Sequence, residues 1–233
     1  MGDPMERIES LLIGEYKIIQ DPELYRFTSD AVLLARFVKA KKGEVVADFC
    51  SGSGIVGLHF FAENEGVKSV TLFEMQPALA EMSARTVAIN ALQDKFKVEN
   101  VRLQDIPADY IERFSLILCN PPYERGGFQN ADMGRAICRK ELYLTLEELC
   151  IQAARCLKFG GRFALVHRAD RLAEVLYTLH AHGLEPKKLQ LVAGKERTKP
   201  YLALVLAVKG GKQGIEVLPT AVNSNANADM VLL

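Results

Sequence analysis

Short apolar runs alternate along the chain with segments in which apolar residues recur every three or four positions. Runs rich in β-branched residues are typical of buried strands, and the three-to-four spacing is typical of amphipathic helices. The predicted strands are residues 44–50, 69–75, 98–105, 115–120 and 161–168. The clearest predicted helices are residues 76–90 and 141–158.

Alternating strands and helices predict a parallel sheet covered by helices on both faces, because right-handed crossovers leave few other arrangements. Residues 188–194 and 201–210 follow each other without a helix, which predicts an antiparallel hairpin at one edge. The expected fold is therefore a Rossmann-like α/β fold with a seven-stranded, mostly parallel sheet. We expect a single domain, with a core at residues 44–212, a preceding segment at 1–43 and a tail of uncertain structure at 213–233.

The composition fits a globular protein, since 49% of the 233 residues are hydrophobic and 25% are charged. No apolar run approaches the roughly 18 residues of a membrane helix, and the first residues lack the apolar core of a signal peptide. Five cysteines without a C-x-x-C pair predict reduced thiols and no metal site. These features predict a cytoplasmic protein that needs neither a membrane nor an obligatory protein partner.

Charge is balanced, with 29 basic and 29 acidic residues, so any polyanion must be held by a local basic patch. One candidate patch lies between Lys187 and Lys212 and contains a single acid, Glu196. Its cations are Lys187, Lys188, Lys195, Arg197, Lys199, Lys209 and Lys212. A nucleic-acid contact and a solvated, lysine-rich edge strand explain this patch equally well.

A glycine-rich turn follows the first core strand, with Asp48 before it and Gly52, Gly54 and Gly57 within it. Glycines permit a tight turn and close approach of a ligand to the helix amides that follow. The glycine spacing alone is shared by dinucleotide sites and other nucleoside sites. An acid that leads into the turn favours a ligand with a cationic amino acid group, such as S-adenosylmethionine.

Three acids stand at the ends of three successive predicted strands, namely Asp48, Glu74 and Asp105. They should form a line along the carboxyl edge of the sheet, where open α/β sheets bind ligands. Glu74 is placed to accept from two ribose hydroxyls, and Asp105 from an adenine amino group. Any one of them alone could be a helix cap or a turn residue. Together with the glycines, they predict a nucleoside site.

The fourth core strand ends in Asn120, Pro121, Pro122 and Tyr123. Prolines fix the backbone, so the Asn120 side-chain oxygen and the Pro121 carbonyl become two aimed acceptors beside the flat face of Tyr123. Such a set suits a planar substrate that carries an amino group, either adenine or a carboxamide. The expected chemistry is in-line positioning with electrostatic stabilisation and no strong base. The alternative is a plain proline-rich turn.

The motifs at residues 48–54, 73–75 and 119–123 resemble class I S-adenosylmethionine-dependent methyltransferases of the amino-methylating type. Residues 25–37, 161–179 and 195–212 are similar to bacterial tRNA1(Val) adenine-37 N6-methyltransferases of the methyltransferase small-domain group. The resemblance spans about residues 8–212. It implies an S-adenosylmethionine-dependent enzyme that methylates the exocyclic amino group of an adenine in tRNA.

The resemblance also implies the members of a cofactor site and of a target-base site. Residues 1–43 would cover the cofactor, with Phe27, Thr28 and Asp30 at its methionine end. The other cofactor residues implied are Asp48, Cys50, Ser51, Gly52, Gly54, Glu74, Met75, Asp105, Ile106 and Asn120. Asn120, Pro121, Pro122 and Tyr123 would hold the target base. Cys50 departs from the family pattern, because many methyltransferases have glycine there.

Three alternatives remain open from the sequence. Protein glutamine methyltransferases share the Asn-Pro-Pro-Tyr motif, although they carry a helical domain before it. Guanine-specific rRNA methyltransferases usually have phenylalanine at the position of Tyr123. A non-catalytic RNA-binding protein could retain the fold, although an intact Asp48, Glu74 and Asn120 argue against it.

The long connection at residues 124–141 is expected to border the substrate entrance, and its cations Arg135, Arg139 and Lys140 to contact RNA phosphates. We expect His167 and Arg168, at the end of a strand, to have structural roles. The remaining histidines, His59, His180 and His182, are expected to be packing or surface residues.

Overall fold

A computed structural model describes residues 6–11, 13–21, 24, 29–122, 144–194 and 199–223. Within these ranges the strands are β1 Arg7–Ser10, β2 Lys17–Gln20, β3 Glu44–Phe49, β4 Val67–Glu74, β5 Phe96–Asn100, β6 Phe114–Cys119, β7 Leu157–Arg168, β8 Leu184–Gly194, β9 Leu202–Lys209, β10 Glu216–Val217 and β11 Ala221–Asn223. The α-helices are α1 Ser29–Phe37, α2 Ile55–Glu63, α3 Pro77–Ile89, α4 Leu146–Cys156 and α5 Leu172–Ala181. In this part of the chain, none of the helices is long and apolar enough to span a bilayer.

The central sheet has the strand order β10-β8-β9-β7-β6-β3-β4-β5. Strands β5, β4, β3, β6 and β7 are mutually parallel, while β9 runs antiparallel to both β7 and β8. The chain leaves β3 for β4 on one side and returns to β6 on the other, so the order reverses at β3. Ligands of open α/β sheets bind at such a reversal, at the carboxyl ends of the strands.

The predicted fold class is confirmed, since the mostly parallel sheet, its antiparallel hairpin and the helices on both faces are all present. The sheet is larger than expected, because two short strands from the unassigned tail join it. Strands β10 and β11 both pair parallel to β8, with Glu216 opposite Lys188 and Ala221 opposite Val192. The β8–β9 hairpin therefore does not form the outermost edge along its whole length.

Several predicted boundaries were wrong. Strand β5 ends at Asn100 rather than Asp105, because its only neighbour in the sheet, β4, ends opposite it at Glu74. Asp105 lies instead in the 3-10 turn Leu103–Asp105. Helix α4 begins at Leu146, after residue Thr145 in an extended conformation, and the chain enters β7 directly at Leu157.

The two faces of the sheet carry separate apolar clusters. Residues of α1, α2 and α3 pack on one face, around Val46, Leu72 and Leu118. Residues of α4 and α5 pack on the other, around Phe73 and Phe163. Since both faces are covered, the central parallel strands β3, β4 and β6 are buried along most of their length. Their carboxyl ends are thereby held in a fixed arrangement.

Helices α1 and α2 lie side by side and run in the same direction. Their last turns are joined by an Arg36–Glu63 ion pair at 2.7 Å, and the Ala40 amide donates to Asn64 Oδ1 at 2.9 Å. Because α2 begins directly after β3, its first turn lies at the carboxyl edge of the sheet. The first turn of α1 therefore lies at that edge as well.

Candidate functional site

The glycine-rich turn between β3 and α2 is built on left-handed backbone. Cys50, Gly52 and Gly54 have φ angles of 58°, 55° and 83°. At Gly54 an added β-carbon would lie 2.9 Å from Leu72 Cδ1, so a side chain there would meet both a steric clash and an unfavourable φ. The Ser51 amide donates to the Phe73 carbonyl at 3.0 Å and ties the turn to β4. The glycines predicted for a tight turn thus have a steric reason to be there.

The Asp48 side chain is enclosed beneath this turn. Its Oδ2 accepts from the Gly57 amide at 2.8 Å and thereby holds the first turn of α2. Its Oδ1 is buried with no hydrogen-bond partner in the described part of the chain. Burial raises the pKa of the carboxyl to about 8, against the hydrogen bond from Gly57 and together with the nearby Glu74 charge. Asp48 therefore stabilises the glycine-rich turn by holding the start of the helix that follows it.

Glu74, the last residue of β4, joins the turn to the following helix. Its Oε2 accepts from the Gly52 amide and its Oε1 from the Gln76 amide, both at 2.8 Å. Burial raises the pKa of this carboxyl, and the hydrogen bonds from backbone amides oppose that rise. The Met75 amide and the Gln76 side chain also donate to this carboxylate and oppose the rise of its pKa. A ligand hydroxyl would share or replace one of these contacts.

A cavity of about 650 Å³ opens beside the turn. Six residues implied by the sequence line it: Cys50, Gly52, Glu74, Met75, Asn120 and Pro122. Sequence reasoning missed the rest of the lining, which is Phe73, Gln76, Leu79, Val101, Leu103, Gln104 and Leu144. These mostly apolar residues follow strand ends without a motif of their own. The sequence could have pointed to them only through their position near the ends of β4 and β5, at the carboxyl edge of the sheet.

The shape and chemistry of this cavity fit a nucleoside with a charged tail. Leu79, Val101 and Leu103 offer apolar surface for a base, and Glu74 offers a carboxylate for ribose hydroxyls. Ser51 Oγ and Ser53 Oγ in the turn are buried and have no hydrogen-bond partner among the described residues. The residues present therefore fit S-adenosylmethionine.

Asn120 reaches the same cavity from β6. Cys119 pairs with Phe49 of β3, which places Asn120 across from Cys50 at the neighbouring strand end, about 5 Å away. Asn120 and Pro122 line the cavity, while Pro121 is buried behind them. Tyr123, the fourth residue of the motif, lies outside the described residues. The predicted juxtaposition of the glycine turn and Asn120 is thus present.

Several other implied residues lie at the rim or beyond it. Asp105 is exposed, and the side chain before it, Gln104, is the one that lines the cavity. Ile106 is buried in the core. Asp30 is buried in the first turn of α1 and borders a separate groove of about 1,340 Å³. Phe27 and Thr28 lie outside the described residues.

The candidate basic patch is partly engaged in contacts within the protein. Lys187 Nζ donates to the Lys212 carbonyl at 2.9 Å, and Lys188 lies 3.4 Å from Glu216. Lys209 Nζ donates to the Leu157 carbonyl at 2.8 Å and to Glu112 at 3.1 Å. Lys199 borders the 1,340 Å³ groove. Lys195, Arg197 and the loop cations Arg135, Arg139 and Lys140 lie outside the described residues.

The described cysteines are free thiols, and the described histidines are either buried or at the surface. Cys50, Cys119, Cys150 and Cys156 are free thiols, and burial raises the pKa of Cys150 to about 12. No group of three potential metal ligands occurs within the described ranges. His167 is buried, and its Nδ1 accepts from the Arg168 amide at 2.9 Å. His59, His180 and His182 each lie beside a glutamate, at 3.0, 2.6 and 3.6 Å.

Comparison with known proteins identifies the family. The model of the family "Methyltransferase small domain" matches residues 27–181. A curated tRNA1(Val) (adenine(37)-N6)-methyltransferase from Porphyromonas gingivalis is 26% identical over 194 residues, which cover 80% of this chain and 74% of the relative. A Dickeya chrysanthemi protein of the same name is 26% identical over 216 residues, covering 92% and 85%.

Among solved structures, a predicted O-methyltransferase from Agrobacterium tumefaciens aligns with a TM-score of 0.65 at 20% identity. The alignment covers 83% of this chain and 86% of that one, and it shows a shared fold. The family match spans well over half of the chain and includes the glycine turn, Glu74 and Asn120. The chain therefore belongs to the methyltransferase small domain family and is a methyltransferase that uses S-adenosylmethionine.

Proposed function

We propose that this enzyme methylates the exocyclic N6 amino group of an adenine in a tRNA, in the cytoplasm. The observation that carries the proposal is the position of Asn120. It leaves β6 beside a proline pair and lines the same cavity as Glu74 and the glycine turn. The names of the Porphyromonas and Dickeya relatives support the choice of tRNA and adenine.

In the proposed site, the cofactor is held by the turn and by the ends of β4 and β5. Glu74 would accept from the ribose hydroxyls while keeping its bonds from the Gly52 and Gln76 amides. Leu79 and Leu103 would contact the faces of the adenine. Bound S-adenosylmethionine supplies an electrophilic methyl group. The roles of Asp30, Asp105 and Ile106 as cofactor residues are part of the same proposal.

The target amine would be activated by position rather than by a base. The Asn120 side-chain oxygen and the Pro121 carbonyl would each accept a hydrogen bond from the amino group. This arrangement favours a pyramidal nitrogen with an available lone pair. Their dipoles would also stabilise the positive charge that grows on nitrogen during transfer. The extra proton then passes to water. Tyr123 would stack on the base.

The test is to replace Asn120 and measure cofactor binding and methyl transfer separately. In Asn120→Ala, methyl transfer to tRNA should fall by about 10² or more, because one acceptor at the developing charge is lost. S-adenosylhomocysteine affinity, measured by calorimetry, should stay near that of the wild type. Asn64→Ala is the matched control, because Asn64 caps the far end of α2 and donates to the Phe60 carbonyl.

The substrate itself is identified with labelled cofactor and separate pools of tRNA, rRNA and protein. Label in tRNA at the N6 position of adenine is the expected result. Label in protein glutamine or in rRNA guanine would replace the proposed substrate while leaving the enzyme class intact. Full activity in Asn120→Ala would remove the role assigned to that residue.

A further inference from the structure

A buried asparagine connects the last described strand with the first helix. Asn223, which is 6% exposed at the end of β11, donates from Nδ2 to Ser29 Oγ at 2.8 Å and to Tyr201 OH at 2.9 Å. Ser29 and Asn223 are separated by 194 positions along the chain. An amide nitrogen has two protons, so it can serve both hydroxyls at once.

The three residues of this connection, Ser29, Tyr201 and Asn223, come from elements that meet at the carboxyl edge of the sheet. Ser29 is the first residue of α1. Tyr201 immediately precedes β9, and its carbonyl accepts from the Ala169 amide just after β7. Asn223 pairs with Gly194 at the end of β8. Asn223 is thus the point at which α1, β9 and the added strand β11 are joined.

The first turn of α1 lies at the same edge of the sheet as the candidate site. Helix α1 packs against α2, β6 and β7, and it runs parallel to α2. Its first turn therefore lies at the carboxyl edge of the sheet, where Asp30 borders the groove formed with residues that follow β7 and precede β9. Ser29 Oγ also donates to Asp30 Oδ1 at 3.5 Å, a long contact that points the next side chain along the same edge.

We infer that Asn223 is a positioning residue, which acts through Ser29 to hold the first turn of α1 at the cofactor site. This inference rests on the proposed function for the reaction it serves. With the amide removed, two partly buried hydroxyls lose a shared donor, and the first turn of α1 loses this hydrogen-bonded connection to β9 and β11. The start of α1 would then be free to shift away from the glycine turn.

The primary test is Asn223→Ala, with S-adenosylhomocysteine binding followed by calorimetry. Loss of two buried hydrogen bonds should weaken binding roughly tenfold. Amide hydrogen exchange in residues 29–37 should become faster, whereas exchange in α2 should not change. Both measurements are independent of methyl transfer, so they remain informative if tRNA is not the substrate.

The matched control is Gln190→Ala. Gln190 Nε2 donates to the Pro219 carbonyl at 3.1 Å and so connects the same tail to β8 without touching α1. Both variants should lower the melting temperature slightly. Only Asn223→Ala should weaken S-adenosylhomocysteine binding. Equal affinities in Asn223→Ala and the wild type would overturn the inference and leave the proposed function untouched.

A double-mutant cycle tests whether Asn223 acts through Ser29. If it does, Ser29→Ala and Asn223→Ala should weaken binding by factors that do not multiply in the double variant. Independent, multiplying effects would contradict the inference. Should Asn223→Ala fail to fold, Tyr201→Phe removes one hydroxyl with little change of shape and should weaken binding about threefold. Wild-type affinity in Tyr201→Phe would then count against the inference.

Discussion

Cys50 has a backbone conformation that is unfavourable for a residue with a side chain. Its φ of 58° lies in the left-handed region, which costs a residue with a β-carbon about 1 kcal/mol. The sequence showed a departure from glycine here, but not that the turn would keep the glycine-like conformation. The turn keeps it because the bonds from the Ser51 and Gly52 amides to β4 fix the backbone on the following side.

We expect Cys50→Gly to increase the free energy of unfolding by about 0.5–1 kcal/mol, because glycine adopts this conformation without strain. Urea denaturation provides the measurement. Cys50→Ala is the control, since alanine retains the β-carbon and should bring no such gain. If the alanine variant gained as much as the glycine variant, backbone strain would not be the cause.

Asp48 should make stability depend on pH. Burial raises the pKa of its carboxyl in the folded protein to about 8, from an ordinary value of 3.8. The folded state therefore binds this proton more tightly, and the associated stability is lost as the pH rises from about 4 through about 8. The groups that face it are the Glu74 carboxyl and the Cys119 thiol.

In Asp48→Asn, the amide oxygen can still accept from the Gly57 amide, but no proton is lost. Urea midpoints of the wild type should therefore fall across this pH range, and those of Asp48→Asn should fall less. Parallel curves for the two proteins would assign the pH dependence to other groups.

At the scale of elements, the sequence was reliable for the interiors and weaker at the ends. Strand β5 stops where its partner β4 stops. Val101 and Leu103 again alternate with polar residues, but out of phase with Phe96 and Val98. Helix α4 was placed to start at residue 141, although Thr145 and Glu148 have the spacing of a capping box. The first error reflects tertiary pairing, and the second reflects a local signal that was not used.

The capping box of α4 gives a prediction for this helix. Thr145 Oγ1 accepts from the Glu148 amide at 3.1 Å, and Glu148 Oε2 accepts from the Thr145 amide at 2.8 Å. Thr145→Ala should lower the free energy of unfolding by about 1 kcal/mol, because the first turn loses its cap. Thr145→Ser keeps a hydroxyl and should stay close to the wild type. Urea denaturation of both variants provides the check, and equal losses in the two would show that the hydroxyl is not responsible.

For the whole molecule, pattern and resemblance predicted the mostly parallel sheet with its antiparallel hairpin and a site at the carboxyl edge that contains Glu74 and Asn120. Strands β10 and β11 could not be predicted from the sequence, since two and three residues are too few to show alternation. The direction in which the Asp48 side chain turns was also not visible in the sequence. The division into residues 1–43, 44–212 and 213–233 stays a prediction, although β10 and β11 connect the third segment to the second.

The basic patch leads to a prediction about salt. With no net charge on the chain, tRNA binding should depend on a few local phosphate contacts. Lys199→Gln, beside the groove that Asp30 borders, should reduce the slope of log K against log salt by about 0.7–0.9. Lys209→Gln should leave the slope unchanged, because that ammonium contacts Glu112 and the Leu157 carbonyl. Filter binding at several salt concentrations measures both, and a larger change for Lys209 than for Lys199 would contradict the assignment.

The hydrogen bond between Ser29 and Asn223 also has a consequence for biosynthesis. Its two partners lie 194 positions apart, so at usual rates of translation Ser29 leaves the ribosome roughly 10–40 s before Asn223 is made. During that interval the first turn of α1 lacks its connection to the strand that will hold it. A nascent chain should therefore reach full affinity for S-adenosylmethionine only after Asn223 has left the ribosome.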